Sequence, residues 1–336
     1  MRILYLTEPG SFLAKDGNRL VVRKSRDTVI KSVGLEQVES IVIIGQSHLA
    51  TGLATELLER EIPVTWLSST GRFFGRLEPT TGHNVERQLL QFNCFNDSSF
   101  RLQLARSWIT GKLKNSRTLL RRYNRNRNIG LVEDIANEID RYTSSCEQAT
   151  SIESIMGIEG HCSKRYFAAL GILVPEPFKF EGRSKRPPRD AFNSLLSFGY
   201  TLLLYEVFTV LLNKSLQPYM GFMHQPRRGH PALASDLIEE WRSVIVDSLA
   251  LSLVTGSQIK IDDFQDPGVD GGVYLSRESS KIFIEKFEKK LRSHNQYLPY
   301  VDYPVTFRES LAFQAGALTR AIELGDPTAY KPVIVR

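Results

Sequence analysis

The hydrophobic period of this chain changes once, near residue 80, and that change constrains the fold more than any single motif. Before it, Ile3 to Leu6, Leu20 to Arg23, Val38 to Ile44, Pro63 to Leu67 and Phe73 to Leu77 are short apolar or alternating runs bounded by Gly, Pro, Asp and Ser, which read as strands. Between them, Ser47 to Arg60 has helical spacing (Leu49, Leu53, Leu57, Leu58) with Ser47 as its cap, so one crossover unit is expected. Pro79-Thr80-Thr81-Gly82 is a turn cluster and marks the boundary. From Val85 onward the period is helical. Thr150-Ser151-Ile152-Glu153 fits a capping box that opens a helix with the stripe Ile152, Ile155, Met156, Tyr166, Phe167 and Leu170. Further helices are expected over Ala191 to Asn213, from Pro231 to about Leu253, over Ser276 to Arg292 and over Phe307 to Leu324, with a loop at Gly268 to Gly272. The expected fold class is α+β: a small N-terminal β-rich domain over residues 1–82, then a larger all-α domain over residues 83–336.

Length permits two cores in the 336 residues. The three cysteines, Cys94, Cys146 and Cys162, form no CxxC pair, which argues against a disulfide framework and a thiolate zinc site and points to a reducing cytoplasm. The first apolar run stops at Glu8 and Pro9, too early for a secretory leader, and the most apolar stretch, near Ser194 to Asn213, carries Glu206 and reads as a core helix. A Gly-rich phosphate loop, a dinucleotide fingerprint and a nucleophile signature are missing; Asp270-Gly271-Gly272 reads as a turn.

The residues that carry chemistry are acids and one histidine. Asp236 and Glu239 are three apart, so on a helix they are neighbours and repel unless a cation sits between them. Alone, such a pair is more often a solvated acidic face, and Glu240 beside it fits that reading. His224 just upstream shifts the balance, because the turn Pro226-Arg227-Arg228-Gly229-His230-Pro231 can fold the imidazole back onto the start of the acidic helix. Glu159 interrupts the apolar stripe of its own helix, where a carboxylate needs a basic partner or a metal, and Lys164 and Arg165 stand at unfavourable spacing. One imidazole with carboxylate oxygens suits Mn2+ or Mg2+ rather than zinc. His230 is a further ligand candidate, or orders the turn.

Positive charge surrounds these acids. The net charge is +6, and from Ser98 to Val132 no acid occurs among Arg101, Arg106, Lys112, Lys114, Arg117, Arg121, Arg122, Arg125 and Arg127. A run of one sign this long repels itself unless a polyanion answers it. The loop Arg183 to Arg189 and the turn Arg227-Arg228 add to it.

Taken in order, these blocks resemble the CRISPR-associated integrase of the adaptation step, the Cas-one family. The resemblance runs nearly end to end. It rests on Gly157-Ile158-Glu159-Gly160 followed by Tyr166-Phe167, on Arg186-Pro187-Pro188-Arg189 through Gly199-Tyr200, on Gly221-Phe222-Met223-His224 through Asp236-Leu237-Ile238-Glu239, and on Gln314 with Tyr330-Lys331-Pro332. It implies a homodimer built largely through the β-domains, and assembly with the small partner Cas-two. It further implies metal-dependent cutting and joining of double-stranded DNA, a phosphodiester hydrolase and integrase that inserts spacers into CRISPR arrays. By motif, the metal residues fall on Glu159, His224 and Glu239. Asp236 falls beside the metal as a further catalytic position, and Arg242 on a DNA contact. Arg186, Arg189, Arg227 and Arg228 are the other DNA-binding candidates. Many relatives carry aspartate where this chain has Glu239, which leaves open whether Asp236 or Glu239 ligates directly. The competing readings are a non-catalytic nucleic-acid-binding protein whose acids pair with arginines, and a divalent-metal nuclease on RNA or branched DNA without integration.

Overall fold

The computed structural model describes residues 3–25, 28–79, 84–265 and 271–335. The expected turn residues at 80–82 and most of the glycine loop, at 268–270, lie outside them. The chain divides into two compact units, Met1–His83 and Asn84–Arg336.

The first unit holds β1 (Ile3–Leu6), β2 (Phe12–Asp16), β3 (Arg19–Arg23), β4 (Val29–Gly34), β5 (Ser40–Ile44), β6 (His48–Leu49), α1 (Thr51–Glu59), β7 (Val64–Leu67) and β8 (Phe73–Leu77). One sheet runs β1-β5-β7-β8, its first three strands parallel and β8 antiparallel; the other runs β4-β3-β2-β6. The helix α1 lies in the crossover from β5 to β7, as the spacing predicts. Leu4, Leu6, Leu13, Leu20, Ile41, Ile43, Leu53, Leu57 and Val64 close one core. Sequence reading passes over β2 and β4 because their alternation is faint: β2 buries only Leu13, and β4 is exposed except at its last two residues. Ser47 does not cap α1. Its hydroxyl donates to the Glu8 carbonyl (3.0 Å), His48 and Leu49 are drawn into β6 beside Phe12 and Leu13, and the helix starts only after Ala50.

The second unit is built on α2 (Val85–Asn96), α3 (Ser98–Asn124), α4 (Gly130–Gln148), α5 (Ile152–Leu173), α6 (Ala191–Asn213), α7 (Ala232–Leu237), α8 (Ser248–Thr255), α9 (Arg277–Arg292) and α10 (Phe307–Leu324). Ser151, rather than Thr150, caps α5, accepting from the Ser154 amide (3.2 Å). Ile155, Tyr166 and Leu170 are buried along α5, whereas Met156, expected on that stripe, is exposed. By length and composition α6 could cross a membrane; here most of it is buried within the unit. Its Glu206 meets Arg308 of α10 (3.1 Å), which also meets Glu288 of α9 (2.6 Å).

Residues 232–255 form one helical run whose pitch changes. After α7 comes a tight 3₁₀ turn, Glu239–Trp241, then a wide π turn, Arg242–Asp247, then α8. Glu240, read from sequence as part of a solvated face, is fully buried there. Tyr330 (2.6 Å), Gln314 (2.6 Å) and the Val333 amide (3.0 Å) all donate to its carboxylate. Asn115 of α3 completes the clamp, donating to the carbonyls of Glu240 (2.8 Å) and Val333 (3.0 Å) and accepting from the Val335 amide (2.8 Å).

Burial outweighs those donors and pushes the Glu240 carboxyl up to about 7 from its ordinary 4.5. The folded state therefore holds this proton more tightly than the unfolded chain, and the stability it contributes is complete below pH 4.5 and lost as pH rises through 7. Thermal melts from about pH 5 to pH 8 should show a falling Tm, and Glu240→Gln should flatten that fall. An identical slope in the two proteins would contradict the assignment.

Candidate metal and nucleic-acid site

The histidine arm of the site is held by Asp236. Asp236 is fully buried, and its two carboxylate oxygens accept from the backbone amides of Phe222 (2.7 Å), Met223 (3.0 Å) and His224 (2.9 Å), and face His224 Nδ1 at 2.6 Å. This arrangement requires Gly221. A Cβ there would stand 2.7 Å from the Ala232 Cβ and 2.9 Å from Asp236 Oδ2, so the loop could not approach the helix. The expected fold-back turn is present: Arg227 and His230 form an isolated antiparallel bridge, with Gly229 at φ +72. His230 lies beside His224, ring centroids 6.1 Å apart. Burial alone would lower the His224 pKa, but the hydrogen bond and charge of Asp236, with the charge of Glu239, outweigh it and raise it. With Nδ1 turned to Asp236, the ring presents Nε2, which has no hydrogen-bond partner among the described residues.

The carboxylate arm is held by a lysine that sequence reading left in a basic run. Lys112 of α3 reaches both Glu159 of α5 and Glu239 of the 3₁₀ turn; its Nζ is hydrogen-bonded to Glu159 Oε1 and 2.8 Å from Glu239 Oε2. Arg242 stands on the other side, its Nε 3.1 Å from the same Glu239 oxygen. That oxygen is buried and answered by the charge of both cations, through ion pairs whose angles are poor for hydrogen bonds. Burial opposes charge on Glu239, yet Arg242, Lys112 and His224 outweigh it and bring its carboxyl down to about 2. Lys112 likewise holds Glu159 below the usual carboxylate range, against burial and the repulsion of Glu239. Ser163, one turn on from Glu159, donates to the same Oε1 (2.7 Å).

Asp236 and Glu239 do not share a cation as their spacing suggests. The helix tightens between them, so Asp236 faces the His224 loop and Glu239 faces α3. Asp236 is engaged by four hydrogen bonds, whereas Glu239 is answered by the charges of Lys112 and Arg242. Among the described residues, no three His, Cys, Asp or Glu side chains converge as a preformed metal cage. What stands among them is an ammonium shared by two carboxylates. The donor set fits a hard divalent cation: two carboxylates brought onto one positive charge, and an imidazole nitrogen without a hydrogen-bond partner among the described residues.

Arg242 is the deepest of the basic candidates. Its guanidinium stacks on Tyr200 (4.6 Å to the ring centroid). The Tyr200 hydroxyl in turn donates to Asp247 (2.5 Å), as does the Tyr166 hydroxyl (2.6 Å). Burial dominates over these donors and pushes the Asp247 carboxyl up to about 6. Arg186, Arg189, Arg227 and Arg228 are exposed, Arg189 donating to the Gly271 carbonyl (3.2 Å).

The acid-free run from Ser98 to Val132 proves to be answered largely from within the protein. Lys114 pairs with Glu147 (3.1 Å), Arg117 with Asp140 and Arg121 with Glu133 (2.9 Å), all on α4. Arg101, Arg106 and Arg127 donate to the carbonyls of Phe222, Ala149 and Leu173. Much of the run is thus a helix interface, with Phe100 and Trp108 buried.

The family model described as CRISPR associated protein Cas1 matches residues 4–289 of the chain. A CRISPR-associated endonuclease Cas1 of Thermus thermophilus is 34% identical over 335 residues, covering 99% of this chain and 97% of the relative. Among solved structures, a chain of a Cas6-RT-Cas1–Cas2 complex superposes with TM-score 0.85 at 25% identity, covering 100% of this chain and 36% of that one. A Cas1 protein from Thermotoga maritima superposes with TM-score 0.81 at 24% identity, covering 97% and 98%.

Gly221→Ala should separate the loop from Asp236 and destabilise the protein by about 1–3 kcal/mol, the usual range for overpacking a tight contact. Denaturant melts measure it, and a loss below about 0.5 kcal/mol, the scale of an ordinary surface change, would show that the close approach does not matter.

Proposed function

The chain belongs to the CRISPR-associated protein Cas1 family, and from that premise we propose that it is a divalent-metal-dependent DNA endonuclease and integrase that inserts spacer DNA into CRISPR arrays in the cytoplasm. The observation that carries the site assignment is the pairing of Glu159 and Glu239 on one positive charge, with an imidazole oriented by Asp236 that feels the charge of Glu239.

Glu159, Glu239 and His224, through Nε2, would hold the cation. Mn2+ or Mg2+ bound there would supply Lewis-acid stabilisation of the charge that develops on the phosphodiester. Asp236 is a positioning residue: its hydrogen bonds hold the His224 ring and its backbone in place, with Nδ1 occupied. Arg242, stacked on Tyr200 and set against Glu239, would bring a fixed positive charge to the reacting phosphate. Burial of Glu239 keeps bulk water from that carboxylate, so charge interactions there are screened less than at the surface. The attacking group in integration would be the 3′-hydroxyl of the incoming DNA.

Arg186, Arg189, Arg227 and Arg228 would hold duplex phosphates and carry little sequence information. By family, the β-rich unit would form the homodimer and the protein would assemble with Cas2. A non-catalytic DNA binder is the second reading, favoured by the ion pairs of Lys112 and Arg242 with the two glutamates.

Glu159→Gln and His224→Asn should each abolish joining of a labelled duplex into a supercoiled repeat plasmid, with DNA affinity within about twofold of wild type. Wild-type joining by either variant would remove the site assignment and leave the binder reading. DNA affinity should fall steeply with salt, and Arg227→Ala with Arg228→Ala should reduce the slope of log K against log salt by about 2, roughly one for each phosphate that the two arginines neutralise.

A further inference from the structure

We propose that Lys112 is a displaceable internal cation: its ammonium holds Glu159 and Glu239 together in the resting protein and is driven off them when a divalent ion binds. The inference rests on the metal reading above and adds a role for a residue outside the ligand set.

The geometry gives Lys112 a position that an ordinary ion pair would not need. One Nζ meets carboxylates from two different elements, α5 and the 3₁₀ turn, and reaches them from a third, α3. Two carboxylates brought this close repel each other unless a cation lies between them. Lys112 is that cation, and its side chain is only 14% exposed, so water does little of the screening. Arg242 is stacked on the Tyr200 ring and, among the described residues, forms an ion pair with Glu239 and not with Glu159, so it does not bridge the two.

Lysine suits a cation that has to leave. Its ammonium is a point charge on a flexible stem, whereas a guanidinium would lock onto a carboxylate through two bonds. The contact to Glu239 is an ion pair with poor hydrogen-bond angles, so a cation of higher charge can compete for that oxygen. A divalent ion bound by the same two carboxylates competes directly with the ammonium, and each lowers the affinity of the other by the same factor.

Calorimetric titration of the full chain with MnCl2, without DNA, tests this. Lys112→Met removes the competitor and should bind Mn2+ about tenfold more tightly than wild type, a change of about 1.4 kcal/mol at a partly screened site. Lys112→Arg keeps the charge and should bind no more tightly than wild type. Unchanged or weaker Mn2+ binding by Lys112→Met overturns the proposal. A second measurement needs no variant: acylation of Lys112 in the wild-type protein, read by mass spectrometry, should be several-fold faster with Mn2+ than with chelator, and an equal or slower rate overturns the proposal. Glu159→Gln and His224→Asn separate the two levels. If they take up Mn2+ as wild type does, the metal reading fails and this inference with it. If they lose uptake while Lys112→Met gains nothing, only the role of Lys112 fails.

Discussion

Four acids of one helical run, Asp236, Glu239, Glu240 and Asp247, are buried, and burial of a carboxylate is tolerated only when something answers it. Each is answered by a different part of the chain. Backbone amides and the imidazole of the 222–224 loop meet Asp236. Lys112 from α3 and Arg242 meet Glu239. Gln314, Tyr330 and the Val333 amide meet Glu240. Tyr166 from α5 and Tyr200 from α6 meet Asp247. The run therefore fixes the relative positions of α3, α5, α6, α10 and the segment after α10. Removing any one of these acids would leave several donors elsewhere in the unit without a partner.

The changes of pitch make this possible. In a regular helix, acids three and four apart would share a face and their repulsion would accumulate. Here the 3₁₀ turn at Glu239–Trp241 and the π turn at Arg242–Asp247 redistribute the side chains, so that Asp236, Glu239 and Glu240 leave the axis toward three separate neighbours. Such turns are seldom retained within helices without a functional reason. Here Glu239 faces Lys112 of α3 while Glu240, one residue on, faces the segment after α10.

This division of labour explains what the sequence shows and what it hides. The period switch and the long helices are legible because they rest on local pattern, and Glu159, His224 and Glu239 stand out in the sequence only through their motif blocks. The pairing of His224 with Asp236 is legible too, since a turn with a glycine separates them by only twelve positions. Lys112 is hidden. It lies forty-seven positions from Glu159, in a run where every charged neighbour is also basic, and nothing local distinguishes the one lysine that bridges two acids from those that pair with α4. The same blindness made that run look like an open phosphate-binding face: the acids of α4 that neutralise it come after it in sequence and face it only in the fold. Glu240 is misread for the complementary reason, since its partners lie seventy-four to ninety-three positions away.

The charge balance at the site then has a consequence for the order of events. The two carboxylates, Glu159 and Glu239, are matched by Lys112 and Arg242, so these four side chains together would offer little net attraction to a divalent ion. Entry of the ion with both side-chain cations still in place would leave an excess positive charge in a poorly screened volume, which is unfavourable. On the proposed reading, a DNA phosphate would relieve that excess and offer a displaced Lys112 ammonium a new partner. Ion and DNA would then favour one another through the same pair of basic side chains, and thermodynamic reciprocity would make the help run both ways. On the proposed reading, the protein would hold a divalent ion least well when no DNA is present, because only the phosphate answers the charge that the ion adds.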